Sequence, residues 1–499
     1  MRTLRLLSRS VGFPAVGFLL LSFSACGSGS GSAHTEGSIQ HVVIIFQENR
    51  TPDNLFQGLC LKPYGSSSAC STTPSATQFN IQTSNWANNL SSNGVTQPGA
   101  IDLGTTGQIG NPDNYDLSHA HSAFLDMCDL DTTTNTCVMD GAASVTCAAS
   151  TGYTCPQFPQ YFYVAPADVT PYLQMAQTYA FADQMFQTNQ GPSFPAHQFI
   201  ISGSSSPSSG SSLFVSENPA GVPGSDDGCT ASPGEYVEEI TSLGVENQTI
   251  FPCLEHQTLT DLLDDADLSW RYYAPSLGSL WTAPAAIDHM CVPSPAPPNA
   301  TACSGADFTA ESPKVVLNQT QTNAQILSDI AGNHLPAVSW VIPDGHDSDH
   351  ARGNDGCGPS WVTSVVNAIG ASPYWSSTAI IIAWDDWGGW YDHVPPPQVI
   401  DDGTSWGSGY VYGFRVPMMV ISPYSKPAYI SHTTHDFGSI LHFIETTFNL
   451  PSLNNADAHA DDLSDMFQST QSPFTQISPP WNDATCKGDR KLATDPDDD

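Results

Sequence analysis

Four short runs of mainly apolar residues constrain the fold of this chain more than any other feature. They cover residues 41–46, 337–342, 379–384 and 416–421, and each is continuous rather than alternating with polar positions. A continuous apolar run of this length is typical of a strand buried on both faces. Helical patterns lie between the runs. Strands that alternate with helices predict an α/β fold, a three-layer sandwich around a central, mainly parallel sheet.

The helical patterns show apolar residues at three- and four-residue spacing, or capping signals, or both. They predict helices over residues 170–185, 259–266, 361–369 and 435–448. The first helix is predicted to begin at Thr170, because Pro171 follows it and proline is favoured in the first turn of a helix.

Two stretches interrupt this alternation. Residues 60–155 are polar and rich in cysteine, and residues 203–255 are rich in serine, glycine and proline. Their turn-forming composition predicts disulfide-rich loop insertions rather than separate folding units. We therefore predict one elaborated domain over residues 39–486 and a disordered tail over residues 487–499.

The first residues resemble an export signal. Three arginines precede an apolar run over residues 11–23, which is too short for a convincing membrane span. Ser-Ala-Cys then ends at Cys26, and an alternating Gly-Ser stretch follows, as in a bacterial lipobox with its flexible tether. We predict a signal peptide of lipoprotein type over residues 1–26 and a tether over residues 27–38, with an ordinary cleaved signal peptide as the alternative. The expected location is periplasmic, on the outer membrane as a lipoprotein, or extracellular.

Cysteine usage agrees with export. The chain has 13 cysteines, and removing Cys26 leaves an even number, which predicts disulfide bonds. None of them has the Cys-x-x-Cys spacing of a zinc site. The predicted pairs are Cys60–Cys70, Cys128–Cys137, Cys147–Cys155, Cys229–Cys253, Cys291–Cys303 and Cys357–Cys486.

The charge balance limits the partners of the chain. There are 49 acidic and 13 basic residues, giving a formal net charge of −36. This field repels nucleic acid and anionic membrane surfaces, so we expect no nucleic-acid partner and membrane contact only through an N-terminal lipid anchor. An anionic substrate would need a bound metal ion or a local positive site. The oligomeric state is not indicated by the sequence.

Polar clusters follow three of the four predicted strands. Glu48 and Asn49 follow the first, residues 344–350 follow the second, and Asp385 and Asp386 follow the third. Active sites of open α/β sheets form just beyond the carboxyl ends of the strands. Carboxylates gathered in one crevice repel one another unless a cation binds there. The pattern predicts one divalent metal ion, and the oxygen-rich ligands with some imidazole suit calcium, magnesium, manganese, iron or zinc.

Three motifs give a specific resemblance. Gln-Glu-Asn-Arg-Thr at residues 47–51, Gly-Pro-Ser-Phe at 191–194 with His197, and the Trp-Asp-Asp-Trp-Gly-Gly-Trp-Tyr-Asp-His-Val segment at 384–394 are similar to those of the bacterial phosphoesterase family. This family groups phospholipases C with respiratory-burst-inhibiting acid phosphatases, within the alkaline phosphatase superfamily. The similarity runs from about residue 41 to 448, and the two insertions match poorly.

The resemblance implies a set of site residues. Ser193 would be the nucleophile, and its oxygen would also contact the metal ion. The metal ligands implied in addition are Glu48, Asn49, Asp385 and Asp386. Arg50 is expected to brace neighbouring carboxylates rather than touch the substrate.

Histidines supply proton transfer and phosphate binding in this family. The resemblance implies catalytic roles for His119 and His350, and it places His197 and His393 as substrate-binding residues. His121 and His346 are close neighbours of the first two in sequence, so they stay open as alternatives.

The implied activity is hydrolysis of a phosphoric ester through a metal-activated serine and a phosphoserine intermediate. The phospholipase C branch usually has threonine where this chain has Ser193, which favours an acid phosphatase acting on a small phosphoester. A phospholipase C-type phosphodiesterase acting on a phospholipid is the alternative.

Two rival functions come from other features. A serine carboxyl-esterase is suggested by Gly-Thr-Ser-Trp-Gly at residues 403–407, although the surrounding sequence predicts a loop rather than a strand–turn–helix elbow. A non-catalytic surface-binding protein could use an aromatic platform of Trp384, Trp387, Trp390 and Tyr391.

Overall fold

The computed structural model describes residues 38–90, 94–101, 115–134, 136–242, 244–319, 324–351, 357–397 and 412–479. The predicted signal peptide, nearly all of the tether, the tail and the 403–407 motif lie outside these residues. Among the helices that are described, none is long and apolar enough to cross a membrane.

A sheet of eight strands forms the centre of the fold. Its spatial order is β4-β3-β5-β1-β6-β7-β2-β8, and only β7 runs antiparallel to its neighbours. The strands are β1 His41–Gln47, β2 Ala180–Ala182, β3 Trp270–Ala274, β4 Val315–Leu317, β5 Val338–Val341, β6 Thr378–Trp384, β7 Met418–Ile421 and β8 Tyr429–Ser431. The predicted α/β class with a mainly parallel sheet is confirmed.

The orientation of β7 separates the fourth apolar run from the other three. Because β7 is antiparallel to β6, its carboxyl end lies at the opposite edge of the sheet. The strand also begins at Met418 rather than at residue 416, because Pro417 has no N–H to donate to a neighbouring strand. Of the four predicted strands, only β1, β5 and β6 therefore have their carboxyl ends at the edge where the polar clusters were expected to meet.

Seven helices of seven residues or more lie within the described part of the chain. They are α1 His121–Cys128, α2 Thr170–Thr178, α3 Ser193–Ser202, α4 Leu259–Asp265, α5 Gln325–Ala331, α6 Gly358–Gly370 and α7 Phe437–Phe448. Three helices of four residues span Pro52–Leu55, Asp288–Cys291 and Ala306–Thr309. The predicted helix over residues 170–185 is wrong beyond Thr178, because residues 180–182 pair with two strands as β2 instead.

Helices cover both faces of the sheet. Phe46 of β1 packs edge-on against His197 of α3 and Phe437 of α7. Trp384 of β6 pairs with Gln47, the residue after Phe46. Successive side chains of a strand point to opposite faces, so Trp384 lies on the other face, where it packs against Tyr172 of α2. Burial on both faces explains why the strands read as continuous apolar runs.

The two predicted insertions contain more regular structure than expected. The first holds short strands at Gly99–Ile101, Tyr115–Leu117, Leu130–Asp131, Thr136–Cys137 and Cys147–Ala149, and Gly99–Ile101 pairs with Phe162–Val164. The second was predicted as loops, and this is wrong, because Leu213–Val215, Val237–Thr241 and Glu246–Ile250 form an antiparallel sheet. A two-stranded pair also joins Pro293–Ser294 to Ala302–Cys303.

Five of the six predicted disulfides are present as predicted, from Cys60–Cys70 through Cys291–Cys303. Cys357 is also disulfide-bonded, and its predicted partner Cys486 lies outside the described residues. Each of the five closes a loop of 8 to 24 residues. Such bonds constrain the unfolded chain locally.

A fully buried arginine links three segments below the sheet edge. Arg415 donates from Nε and Nη2 to the two carboxylate oxygens of Asp392, at 2.9 Å each. Its Nη1 donates to the main-chain oxygens of Asn80 and Asp183. Charge and hydrogen-bonding capacity are therefore both satisfied, as a buried ion pair requires.

Arg415→Met should lower the free energy of unfolding by about 3–5 kcal/mol, because it leaves the buried Asp392 without its partner. Lys314→Met is the matched control, since Lys314 forms an ion pair with Asp264 at 2.7 Å in which both side chains are partly exposed. The control should lose less than about 1 kcal/mol. Urea denaturation measures both, and equal losses would contradict the assigned role of Arg415.

Candidate active site

Two neighbouring strands bring the first acidic pair together. Parallel pairing sets the last residue of β1 beside the last residue of β6, so the residues that follow both strands share one space. The main-chain N–H of Asn49 donates to Asp385 Oδ1 at 2.8 Å, and the N–H of Asp385 donates to the main-chain oxygen of Gln47 at 2.9 Å. Glu48, Asn49, Asp385 and Asp386 are all fully buried.

The backbone at this point is sharply bent. Asn49 has φ 58°, in the left-handed region that asparagine tolerates better than most residues. Gly388 faces it with φ 61°, and a Cβ at this position would lie 2.6 Å from the main-chain oxygen of Asn49. Only glycine fits here, which accounts for one glycine of the Trp-Gly-Gly-Trp motif.

Ser193 lies between two of the carboxylates. It is the first residue of α3, it is fully buried, and its Oγ is 3.3 Å from Glu48 Oε2 and 3.2 Å from Asp386 Oδ2. The preceding turn is tight, because a Cβ on Gly191 would lie 2.0 Å from the main-chain oxygen of Ser216. The start of α3 is further fixed by Phe194, whose N–H donates to Asn218 Oδ1 at 2.9 Å.

The donor atoms of this group fit a cation. Ligand atoms of Glu48, His197 and Asp385 lie within 4.8 Å of one another. Among the described residues, neither Asp385 Oδ2 nor Asn49 Oδ1 has a hydrogen-bond partner, although both atoms are buried. Buried carboxylate and amide oxygens without donors cost free energy, and a divalent cation removes that cost. Oxygen donors of this kind, with an imidazole beside them, suit hard or borderline metal ions.

Two of the predicted histidines meet beside this group. The Nδ1 of His119 bonds the main-chain oxygen of Leu117 at 2.8 Å, and its Nε2 lies 3.3 Å from the side-chain amide nitrogen of Asn49. The rings of His119 and His350 pack edge to face with centroids 5.6 Å apart. The neighbouring His121 instead directs its Nδ1 towards Glu246, 3.1 Å away.

The other two predicted histidines lie elsewhere than expected. His197 is fully buried, and its Nε2 contacts Glu48 Oε1 at 3.1 Å, so it orients a carboxylate rather than facing open space. His393 is not part of the group around Ser193. Its Nδ1 bonds Asp53 Oδ2 at 2.6 Å and its Nε2 bonds Asn80 Oδ1 at 3.0 Å, so both ring nitrogens are already engaged.

A layer of buried contacts holds the loop after β5 against β1. Arg50 donates from Nε to the main-chain oxygen of Asp349 at 2.8 Å, as a bracing role requires. The Asp349 side chain accepts from Tyr172 and Trp384. Burial raises the pKa of Asp349 to about 6, and the Arg50 charge limits that rise. This layer positions His350, the next residue along the loop.

A cavity of about 620 Å³ opens beside His119 and Pro192. Carboxylates dominate its charged lining, and no lysine or arginine is among the described residues that line it. The acidic residues are Asp116, Glu217, Glu238 and Glu246. Nothing in the sequence indicates Glu217 and Asn218 as site residues, because they lie in a serine-rich stretch with no motif around them.

The aromatic platform proposed for a binding protein does not exist. Trp384, Trp387 and Trp390 are fully buried, and Tyr391 is 2% exposed. Trp390 lies under the guanidinium of Arg50, with 4.9 Å between its ring centroid and Arg50 Cζ. These rings pack inside the domain and offer no surface to a partner.

Comparison with known proteins identifies the family. The model of the Phosphoesterase family matches residues 39–451, and the chain therefore belongs to this family, as the motifs predicted.

Curated relatives match shorter segments. Phospholipase C B of Mycobacterium tuberculosis strain H37Rv is 33% identical over 166 residues, which are 29% of this chain and 32% of that protein. The non-hemolytic phospholipase C of Pseudomonas aeruginosa is 31% identical over 151 residues, 25% of this chain and 22% of that protein. The matched segments thus span about a third or less of these relatives.

Solved structures show weaker likeness. A protein in the alkaline phosphatase superfamily from Vibrio parahaemolyticus aligns with a TM-score of 0.32 and 11% identity, over 58% of this chain and 64% of that one. A phosphonate monoester hydrolase from Silicibacter pomeroyi aligns with a TM-score of 0.31 and 8% identity, over 57% and 69%.

Glu217 should make stability depend on pH. Burial and the nearby charge of Glu246 raise its pKa from 4.5 to about 7. Between these values the folded chain holds a proton that the unfolded chain has released, so stability falls as pH rises. Glu217→Gln should therefore be about 1–2 kcal/mol more stable than the unsubstituted chain at pH 8 and equal to it at pH 4.

Urea midpoints between pH 4 and pH 8 measure this difference. Glu238→Gln is the matched control, because it removes a carboxylate from the wall of the same cavity. Parallel stability profiles for Glu217→Gln and the unsubstituted chain would show that Glu217 is not the group responsible.

Proposed function

We propose that this protein hydrolyses phosphoric esters, with Ser193 as the nucleophile. The observation that carries the proposal is the position of Ser193 Oγ at the start of α3, within 3.3 Å of two buried carboxylates. A serine with a purely structural role rarely has its hydroxyl between two acids. The neighbouring Asp385 also has a buried oxygen that lacks a hydrogen-bond partner among the described residues. Membership of the Phosphoesterase family supports the same reaction class.

A divalent cation would be held by five residues, through carboxylate, amide and hydroxyl oxygens. The proposed ligands are Glu48, Asn49, Ser193, Asp385 and Asp386. When bound, the ion lowers the pKa of the serine hydroxyl and offsets negative charge on the phosphate. It would also be the main positive charge at this point of a strongly acidic chain.

Ser193 attacks phosphorus in line with the ester oxygen. The bond from Ser193 Oγ to phosphorus forms as the bond to the alcohol oxygen breaks, and the alcohol leaves with a proton. Water then hydrolyses the phosphoserine and restores the hydroxyl. The N-terminal end of α3 favours negative charge at this position, as helix N-termini do.

In this proposal, His119 and His350 transfer protons and bind phosphate oxygens. A proton on His119 Nδ1, donated to the main-chain oxygen of Leu117, leaves Nε2 to face the site. When Nε2 also carries a proton, the ring can give that proton to the leaving oxygen, and in its neutral form it can then take one from the incoming water. His197 is a positioning residue in this proposal, since it fixes the carboxylate of Glu48.

The cavity beside His119 suggests which leaving groups are accepted. Its four carboxylates repel any further negative charge. We therefore propose an ester whose leaving group is neutral or cationic.

Within this class, the proposed activity is that of an acid phosphatase acting on small phosphoesters, as the serine nucleophile favours. A phospholipase C-type activity is the second candidate, favoured by the printed names of the curated relatives. Hydrolysis rates of p-nitrophenyl phosphate, bis-p-nitrophenyl phosphate and phosphatidylcholine, with and without chelator, separate them. No hydrolysis of any of the three with metal restored would reject the reaction class.

We also propose that the protein acts outside the cytoplasm. Five disulfide bonds among the described residues support an oxidising compartment. Mass spectrometry of the protein recovered from its native cell tests whether Cys26 carries a lipid.

Ser193→Ala should lower kcat by about 1,000-fold or more, because no other group can form the covalent intermediate. Ser202→Ala is the control, since Ser202 is a buried serine at the other end of α3 and its hydroxyl donates to the main-chain oxygen of Gln198. The control should keep its activity within about twofold. Normal turnover by Ser193→Ala would remove this residue from the mechanism and leave the reaction class intact.

His197→Ala should weaken metal affinity about 10- to 100-fold, as expected when a residue that orients a metal ligand is lost. Titration of the chelated protein with Mn²⁺, followed by activity and by direct binding, measures the shift. His197→Gln keeps an N–H donor and should recover part of the affinity. Unchanged affinity in His197→Ala would contradict its role in holding Glu48.

A further inference from the structure

A second group of side chains that could bind a metal ion lies just beyond the carboxyl end of β8. His435 precedes α7, and Asp461 and Asp465 follow that helix in the chain. One ligand atom from each of the three lies within 4.8 Å of the others. His435 is fully buried, whereas the side chains of Asp461 and Asp465 are 26% and 23% exposed. The group therefore has a buried base and an open side towards solvent.

The hydrogen bonds around Ser431 determine where the His435 ring carries its proton. Ser431 Oγ donates its single hydrogen to Asp465 Oδ2. It accepts from the main-chain N–H of Thr433 at 3.2 Å. Its remaining contact, with His435 Nε2 at 2.9 Å, must then use a proton on Nε2. Neutral His435 is thus protonated on Nε2 and has its lone pair on Nδ1.

The lone pair on His435 Nδ1 has no donor to accept from. Asp461 Oδ1 lies only 2.8 Å away, yet the angle is not that of a hydrogen bond. Asp465 Oδ1 is likewise buried without a hydrogen-bond partner among the described residues. Ligand atoms that share a metal ion lie about 3 Å apart and point at a common centre rather than at each other. The contact of His435 with Asp461 resembles this arrangement.

Another histidine of the chain shows what an ordinary ion pair looks like. His289 also lies between two carboxylates, with Nδ1 3.1 Å from Glu255 and Nε2 3.3 Å from Asp261. Its contacts with Glu255 do have hydrogen-bond geometry. The hydrogen bond to Asp261 raises the pKa of His289 to about 9, as expected for an imidazolium. The two histidines therefore differ in geometry although their neighbours are alike.

We propose that His435 Nδ1, Asp461 and Asp465 bind a divalent cation, separate from the group around Ser193. One imidazole and two carboxylates, with room for water on the exposed side, match Zn²⁺. The proton on His435 Nε2, held by Ser431, fixes the tautomer and the ring orientation, as the outer contacts of metal-bound histidines do.

The ion would hold three segments together. Asp461 and Asp465 belong to the stretch after α7, and Ser431 ends β8. The main chain of His435 pairs with the segment that leads from β2 to Ser193, since its N–H donates to Gln184 and its oxygen accepts from Phe186. The site is structural in this proposal and supplies no reacting group.

Zinc stoichiometry of the full chain tests the proposal. The protein is stripped with chelator, equilibrated with Zn²⁺ and analysed by mass spectrometry of the metal. His435→Asn and, independently, Asp461→Asn should each bind one ion fewer per chain than the unsubstituted protein. His289→Asn is the matched control and should lose none. Equal stoichiometry in all four proteins would overturn the proposal and leave His435 as an ion-paired imidazolium.

Thermal unfolding in an Asp385→Asn background separates this site from the proposed active site. Chelator should still lower Tm in Asp385→Asn by a few degrees, because an ion that binds only the folded chain stabilises it. The shift should vanish when His435→Asn is added. If the unsubstituted protein binds an ion that depends on His435 but binds none at Glu48, this site is supported and the metal ion of the proposed function is rejected. No shift in Asp385→Asn would reject the site itself.

Discussion

The parallel pairing of β1 with β6 forces the carboxylates of Glu48 and Asp385 into one buried space, and the rest of the site depends on this constraint. Two carboxylates this close are unstable without a positive partner or several donors. The chain supplies some donors, such as the N–H of Asn49. It leaves Asp385 Oδ2 without any described donor, and the tight turn before α3 holds Ser193 against the neighbouring acids Glu48 and Asp386.

The end of β1 also organises the loop after β5. Gln47 accepts the N–H of Asp349 on its side-chain oxygen and donates its side-chain amide to the main-chain oxygen of Asp347. Arg50 secures the same loop through the main-chain oxygen of Asp349. One strand end thus fixes the loop that presents His350, which explains why its flanking residues are as buried as the strand itself. Rigid placement of this kind is what proton transfer at a fixed atom requires.

The sequence predicted those features that follow from local pattern and missed those that depend on strand direction or on distant contacts. Continuous apolar runs revealed the buried strands, and the parallel rule then located Glu48 and Asp385 together. Nothing in the run around Met418 indicates its antiparallel direction, and β2 was read as helix because a buried three-residue strand has no period of its own. Ser193 could be found only through its motif. His393 shared a motif with Asp385 but is held by Asp53 and Asn80, because neighbours in sequence diverge once the turn after β6 is made.

Buried acids in this chain are balanced in different ways, and hydrogen-bond geometry distinguishes them. With 13 lysines and arginines against 49 acids, side-chain cations cannot balance every carboxylate. Asp392 is matched by Arg415 through two well-formed hydrogen bonds. At Asp385 and at His435, by contrast, buried acceptor atoms point into a shared space and meet no described donor. Acceptors that converge without a proton between them are repulsive, and an external cation that binds at either place removes that repulsion. In the two proposals made above, a strongly acidic chain uses metal ions where it lacks basic side chains, at one place for chemistry and at the other for holding the fold together.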